Sequence, residues 1–445
     1  MQNVTRRLAE YVVEAEHSDV PEGIRHEGKR ALLNWFGCAL GGCRHAAVDR
    51  ALSALGQVSG PPQATVIGRP ERLDVLHAAL LNGISSHVLD FDDTHDPTLI
   101  HPSGPVMSAG LAVSEWHQVS GREFLLAIIL GIEVECRIGR AVFPNHYDRG
   151  WHITGTAGVF GAAATAGRLL GLDPLQMSWA FGLAGTQAAG LREMFGTMCK
   201  SFHPGRAAQN GITSVLLAKH GFTSSDRVLE APRGFAHVLS TDPDLSVVLA
   251  GLGKRYELAR NTYKPFACGL VIHPAIDGCI SLREEHGLLP KDIQGVHLQV
   301  NPRVLELTGK KFPLVGLEGK FSIYHSAAIA LIDGAAGEAQ YSDERVRDPD
   351  VVALRNKVTV EERPELTETE AVVIVQRRHA PALERKVTAP TGSLERPMTD
   401  IQLERKARLL ALSLTGPKIE ELVTLCWSVE ELGDVGELAR TAASA

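Results

Sequence analysis

The sequence lacks the motifs by which most chains hold a nucleotide or activate a serine. It has no G-x-x-x-x-G-K-[ST] loop to cradle phosphates, no G-x-G-x-x-G between a strand and a helix, and no G-x-S-x-G elbow. Its seven cysteines (Cys38, Cys43, Cys136, Cys199, Cys268, Cys279 and Cys426) are scattered, odd in number and free of any C-x-x-C pair. They read as reduced thiols in a cytosolic setting rather than as a disulfide framework. Aromatic residues are scarce at 5 %, while alanine and glycine are frequent, which favours closely packed helices. A formal charge of −7, from 45 Lys+Arg against 52 Asp+Glu, gives no reason to expect nucleic acid or an anionic membrane as partner. No apolar run approaches the ~20 residues that cross a bilayer. The most apolar one, FLLAIILGIEV at 124–134, is closed by Glu133 and Glu135 and reads as a buried core helix. The N-terminus has no apolar stretch followed by a small-residue cleavage site. It reads as an amphipathic helix with Leu8, Tyr11, Val12 and Ala15 on one face, and the default setting is the cytoplasm.

What is present is an ordinary globular balance, 44 % hydrophobic and 22 % charged, which excludes a disordered or fibrous chain. At roughly 150 residues per domain, 445 residues suggest two or three domains. Helical spacing dominates up to residue 263, with Gly- and Pro-rich turns between segments. In GLDPLQMSWAFG, Asp173 and Pro174 supply a helix cap and first position. The texture then changes: 293–300, 356–362 and 370–376 alternate and are β-branched, which predicts strands, while 326–337 reads as a helix ending in glycine. From Thr399 helical periodicity returns. The expected fold is therefore mainly α: a large, discontinuous, all-helical domain (1–263 and 399–445) interrupted by a smaller α/β domain at 264–398.

Five polar clusters interrupt the apolar pattern. LDFDDTHDPTLIHPSGP gathers Asp90, Asp92, Asp93, Thr94, His95, Asp96 and His101 in a loop at helix ends. A solvated acidic loop is the plain reading of it; a metal site through Asp92, Asp93 and His95 is a weaker one, because no paired-histidine ligand motif accompanies it. NHYDRGWHITGTAG places Tyr147, Arg149 and His152 near a helix start rich in Gly and Thr, a setting that can offer backbone donors to an anion. MCKSFHPGRAAQNG carries Lys200, His203 and Arg206, suited to a carboxylate or phosphate. NTYKPFACGLVIHP brings Lys264 and His273 to the domain junction, where ligand pockets tend to form. KFSIYHSAA places Tyr324 and His325 at a helix start. Histidines, lysines, a tyrosine and carboxylates without nucleotide or metal motifs fit acid/base work on an anionic small molecule.

In chain order, LNGISSHVLDFDDTH…HPSGPV, GWHITGTAG, CKSFHPGRAAQNG, YKPFACGLVIHP, KFSIYHSAAIALIDG and SLERPMTD match the motifs of the MmgE/PrpD family, which the sequence resembles over nearly its whole length. That family includes 2-methylcitrate dehydratases, cis-aconitate decarboxylases and iminodisuccinate epimerases. The resemblance implies a discontinuous helical domain with an α/β lid, a homodimer, and chemistry beside a carboxylate with no cofactor and no metal. Carried over by motif, Asp90, Thr94 and His101 line the pocket, with His101 the leading proton-transfer group and His152 a second polar wall. Lys200 and Lys264 bind substrate carboxylates, and Tyr147 serves as acid or base on the other face. His203, Arg206, His273 and Tyr324 complete the expected substrate-binding set. Two positions depart from the pattern: His273 stands further from Lys264 than the histidine of the decarboxylases does, and the KFSxPY tyrosine falls at His325, with Tyr324 one residue early. The short chain looks more like the compact branch that holds iminodisuccinate epimerase.

These readings lead to one expectation and one alternative. The expected activity is proton abstraction α to a carboxylate of a di- or tricarboxylate, ending in epimerisation or loss of water. The alternative is a catalytically silent carboxylate-binding protein of the same fold.

Overall fold

Glycine decides how two of the central helices cross. Val75–His87 passes Met198–Lys219 at Gly83 and Gly205, where a Cβ on Gly83 would sit 2.4 Å from the Gly205 Cα. Only two glycines allow that approach, and it sets Lys200 of one helix beside the loop that follows the other. A computed structural model describes residues 3–444. With Ser103–His117, Gly121–Val142 and Ile153–Leu169, these helices form a bundle whose inner faces are Ala, Gly, Val and Leu and are almost wholly buried. Each fully buried Leu or Phe contributes about 1.5–3 kcal/mol, so the small-residue faces gain mainly by close approach.

Several local predictions hold for physical reasons that the structure makes explicit. Val4–Glu14 buries Leu8 and Val12. Asp173 accepts from the backbone N–H groups of Leu175 and Gln176 and, with Pro174 at the first position, starts Pro174–Gly185. One reading needs correction. Glu133 and Glu135 do not close the apolar run: the 22-residue helix Gly121–Val142 runs on past them with both carboxyls buried. Glu133 is tolerated because Arg137, one turn on, binds it at 2.5 Å. Glu135 has no hydrogen-bond partner, and burial raises its carboxyl well above the usual range, so it stays protonated.

On the C-terminal side lies a four-stranded sheet in the order Val358–Glu362, Ile293–Val300, Ala371–Arg377, Leu383–Val387; the first pair is parallel and the others antiparallel. Val296, Leu298, Val300, Val373 and Val375 point to its buried face, which His273–His286 and Ile323–Asp333 cover. The second of these helices ends at Gly334, whose φ of +66° suits a left-handed cap. The fourth strand, LERKV, escaped the pattern reading because an edge strand carries charge on its exposed positions. Thr399 then caps Asp400–Leu410, which packs on Glu22–Gly42 and shares one apolar cluster with it through Leu403, Ala407, Leu32 and Phe36. Both ends of the chain therefore build one core. A short antiparallel pair, Thr94–His95 with Asn261–Thr262, ties the acidic loop to the segment leading into Lys264.

Candidate active site

Seven of the residues expected from sequence converge. Asp90, Thr94, His101, Tyr147, His152, Lys200 and Lys264 line a single cavity of about 440 Å³, with Leu99, Phe195, Leu270 and Phe321 among its apolar walls. Asp90 follows the Val75–His87 helix in the left-handed region, at φ 49°, a conformation aspartate tolerates better than most residues. There its Oδ1 accepts from Lys200 Nζ at 2.5 Å and from Lys264 Nζ at 3.2 Å, while Lys264 also donates to the Asp90 carbonyl at 3.1 Å. The other oxygen, Oδ2, has no partner. Burial alone would raise the Asp90 carboxyl, but Lys200 and Lys264 beside it hold it well below the usual range. Burial pushes the Lys200 ammonium down, against the pull of Asp90 and with help from Lys264. Two cations thus stand in one cavity on a single carboxylate oxygen, an arrangement that can receive the carboxylates of a ligand.

His101 is held from behind. Its Nδ1 donates to the Asp93 carbonyl at 2.9 Å, and its own backbone N–H donates to Thr154 Oγ1 at 3.1 Å. A carbonyl only accepts, so the neutral ring carries its proton on Nδ1 and keeps a lone pair on Nε2, which makes no hydrogen bond among the described residues. Burial, reinforced by Lys264 and Lys200, holds this imidazole well below 6.5 despite the attraction of Asp92. Thr154, in the first turn of the helix that starts at Ile153, thus fixes the His101 backbone by accepting from it.

Two further groups, His152 and Tyr147, complete the polar wall, and His87 stands behind it against His101. His87 packs edge-on to His101 with ring centres 4.7 Å apart, and its Nδ1 donates to Asp92 Oδ2 at 2.7 Å inside the core. Burial would raise Asp92, yet His87 and His101 bring it to about 2, so an ionised carboxylate backs both rings. His152 Nδ1 lies 2.8 Å from His203 Nδ1. The Tyr147 ring is covered by the Arg192 guanidinium, 4.3 Å from its centre, and its hydroxyl makes no hydrogen bond among the described residues. Burial raises this phenol well above 10, so it is a neutral O–H that can donate.

Comparison with known sequences settles the family. The MmgE/PrpD N-terminal domain profile matches residues 6–248, and the C-terminal domain profile matches residues 266–428. The chain belongs to the MmgE/PrpD family. Relatives of this MmgE/PrpD chain include the cis-aconitate decarboxylase of Aspergillus terreus, 27 % identical over 98 % of this chain and 95 % of that protein. The cis-aconitate decarboxylase of Homo sapiens is 27 % identical over 98 % and 94 %. The 2-methylcitrate dehydratase of Escherichia coli (strain K12) is 26 % identical over 76 % and 73 %.

Four expected substrate-binding residues of the MmgE/PrpD chain stand outside the cavity. His203 sits behind His152 and lines a separate groove. Arg206 lies six residues beyond Lys200, about 120° round the helix, and pairs with Gln209 at the exposed surface. His273 is buried at the start of its helix against the edge of Phe266, and its neighbours Gly269, Leu270 and Val271 line the cavity instead. Tyr324 is half-buried near Lys311, and His325 turns away to the Gln340 carbonyl; Phe321 of the same segment reaches the cavity.

Two buried lysines escaped notice. Lys406 Nζ donates to the Lys264 carbonyl at 2.9 Å, the Phe91 carbonyl at 2.6 Å and Asn34 Oδ1 at 2.8 Å, fastening the Asp400–Leu410 helix to both sides of the site. Lys320 Nζ does the same for the Leu89 and Ala267 carbonyls, at 2.8 and 3.0 Å. The signal for Lys406 was present: it shares a face with Leu403, Ala407 and Leu410, where a lysine is out of place unless it is paired.

Among the described residues, His87, His101 and His152 could each offer a nitrogen to a metal, all within 4.8 Å of one another, as could Asp90, Asp92 and His101. Tetrahedral zinc asks for ligand atoms about 3.3 Å apart, and the Lys200 and Lys264 ammonium groups occupy the same cavity. The Asp92, Asp93 and His95 set does not form. His95 is engaged by Thr98 at 2.7 Å and Glu257 at 3.2 Å, and Asp93 accepts from Ser103 and Asn261.

Proposed function

We propose that the chain is a lyase that moves a proton at the carbon beside a carboxylate of a small di- or tricarboxylate, without metal or nucleotide cofactor. One observation carries the reading: the Nε2 lone pair of His101 belongs to a ring that lines the same cavity as Lys200 and Lys264. Before a ligand arrives, burial, reinforced by the two lysines, depresses His101 and makes it a poor base. A bound carboxylate sets negative charge against those lysines, and opposite charge raises the proton affinity of the imidazole. The base then strengthens only with substrate in place. A carbanion next to a carboxylate spreads charge onto the carboxylate oxygens, where two ammonium groups stabilise it more than they stabilise the ground state. Tyr147, held neutral, donates its proton, Thr94 orients the ligand, and His152 exchanges protons with the reacting groups. The decarboxylase and dehydratase relatives support this class of reaction.

The test uses cis-aconitate and 2-methylcitrate as probes, followed by proton NMR. Loss of carbon dioxide or of water from either supports the proposal; no turnover of either, with no exchange of solvent deuterium, overturns it. An epimerase of the iminodisuccinate kind is the second reading, favoured by the unbonded Tyr147 hydroxyl as a second proton-transfer group in the cavity. It is recognised by racemisation with neither carbon dioxide nor water released. Thermal stabilisation by the acids without any turnover points to the silent carboxylate-binding protein. The homodimer belongs to the same proposal and is checked by light scattering.

A further inference from the structure

The two histidines that line the cavity, His101 and His152, and His87 packed against the first differ in what lies behind them. Behind His101 are the Asp93 carbonyl, which can hold a proton donor but cannot pass a proton on, and, at 3.4 Å, Asp92, which is sealed in the core. Behind His87 is Asp92, an ionised carboxylate sealed in the core. Behind His152 is another imidazole, His203, at 2.8 Å between the two Nδ1 atoms. His203 does not reach the cavity. It lines a separate groove of about 620 Å³ whose wall includes Met194, Phe202 and Arg206. Two rings therefore bridge the partition between the cavity and a second, more open space.

The backbone is shaped around this contact. Gly190 takes φ +140°, its carbonyl accepts from the His152 N–H at 3.0 Å, and a Cβ there would lie 3.3 Å from the His203 ring. A Cβ on Gly155 would fall 2.4 Å from the Ala189 carbonyl oxygen and 3.2 Å from the His203 Cβ. Side chains at either position would press on the pair, and a φ of +140° is itself adopted routinely only by glycine.

The geometry points to His203 as a proton conduit that connects the reaction cavity to solvent through His152. This rests on the proposed proton-transfer chemistry. When His152 takes a proton at Nε2, its Nδ1–H passes to the Nδ1 lone pair of His203, and His203 releases its Nε2 proton to water in the groove. One N–H bond forms and one breaks on each ring, and both end neutral with their tautomers exchanged; return runs the same steps backwards. Neutral ends matter here. Burial lowers both imidazoles, His203 to about 4, and Lys200 opposes positive charge on either, so a resting imidazolium is disfavoured while a concerted hand-over is not. His203 touches no ligand and acts only through His152.

The full chain is assayed with cis-aconitate and 2-methylcitrate in mixed H₂O and D₂O, as wild type, His203→Gln and His203→Ala. Glutamine keeps a hydrogen bond to His152 but cannot relay a proton. The expected result is an unchanged KM, a kcat lower by about tenfold or more, and a larger solvent isotope effect for His203→Gln. Added imidazole restores the His203→Ala rate in proportion to its concentration. A His203→Gln enzyme with wild-type kcat and isotope effect overturns the conduit alone. So does a kcat loss that imidazole does not rescue and that comes with a raised KM. A wild type that neither turns over nor exchanges overturns the functional reading, and the conduit with it.

Discussion

Replacing Asp93 by asparagine tests how the protein holds an acid in its core. Burial, with the neighbouring Asp92 charge, raises the Asp93 carboxyl from 3.8 to about 7, although Ser103 at 2.6 Å and Asn261 at 2.7 Å donate to it. A folded value above the unfolded one means that the native state binds the extra proton. Its stabilisation is complete below about pH 4 and is lost as pH rises through 7. At about 1.4 kcal/mol for each pH unit between the two values, the loss from pH 4 to pH 8 is about 4 kcal/mol. Asparagine presents the same accepting oxygen to Ser103 and Asn261, has no proton to lose, and leaves intact the backbone carbonyl that holds His101. Relative to wild type, Asp93→Asn therefore gains about 4 kcal/mol between pH 4 and pH 8 in urea denaturation. A difference between the two proteins that stays flat with pH refutes the reasoning.

Lys406→Met removes three hydrogen bonds around the Phe91 and Lys264 backbone, and a loss of about 2–4 kcal/mol is expected in the same urea assay. Lys200→Met and Lys264→Met each remove a charged donor from the cavity; KM for a carboxylate substrate rises by about ten- to a hundredfold, read from initial rates. Dialysis against a chelator leaves kcat/KM unchanged, with elemental analysis confirming removal, because His101 and the lysines need no ion for the proposed chemistry.

The fold was legible where one physical signal acted alone. Helical spacing and Gly/Pro turns gave the bundle, and alternation gave the inner strands. The charged edge strand 383–387 and the buried Glu133 and Glu135 were not, because each departs from the local pattern for a tertiary reason: an edge, a paired arginine, a retained proton. In the site, Asp90, Thr94 and His101 stood within one polar run, and motif order carried Tyr147, His152, Lys200 and Lys264 with them. His203 and Arg206, near Lys200 in sequence, are not near it in the cavity, because the helix turns them behind His152 and out to solvent. His273 and Tyr324 do not line the cavity because the neighbouring Gly269–Val271 turn and Phe321 fill that wall. Lys406 is more than three hundred residues from Phe91, and its bonds exist only once both ends of the chain share a core.

The central claim is that His101 moves the proton. Proton NMR of substrate and product in D₂O, for wild type and His101→Gln, addresses it directly. The account predicts deuterium at the carbon beside the carboxylate for the wild type. For His101→Gln it predicts exchange slower by about a hundredfold or more, with thermal stabilisation by the acid retained because Lys200 and Lys264 remain. Exchange by His101→Gln at the wild-type rate would contradict it.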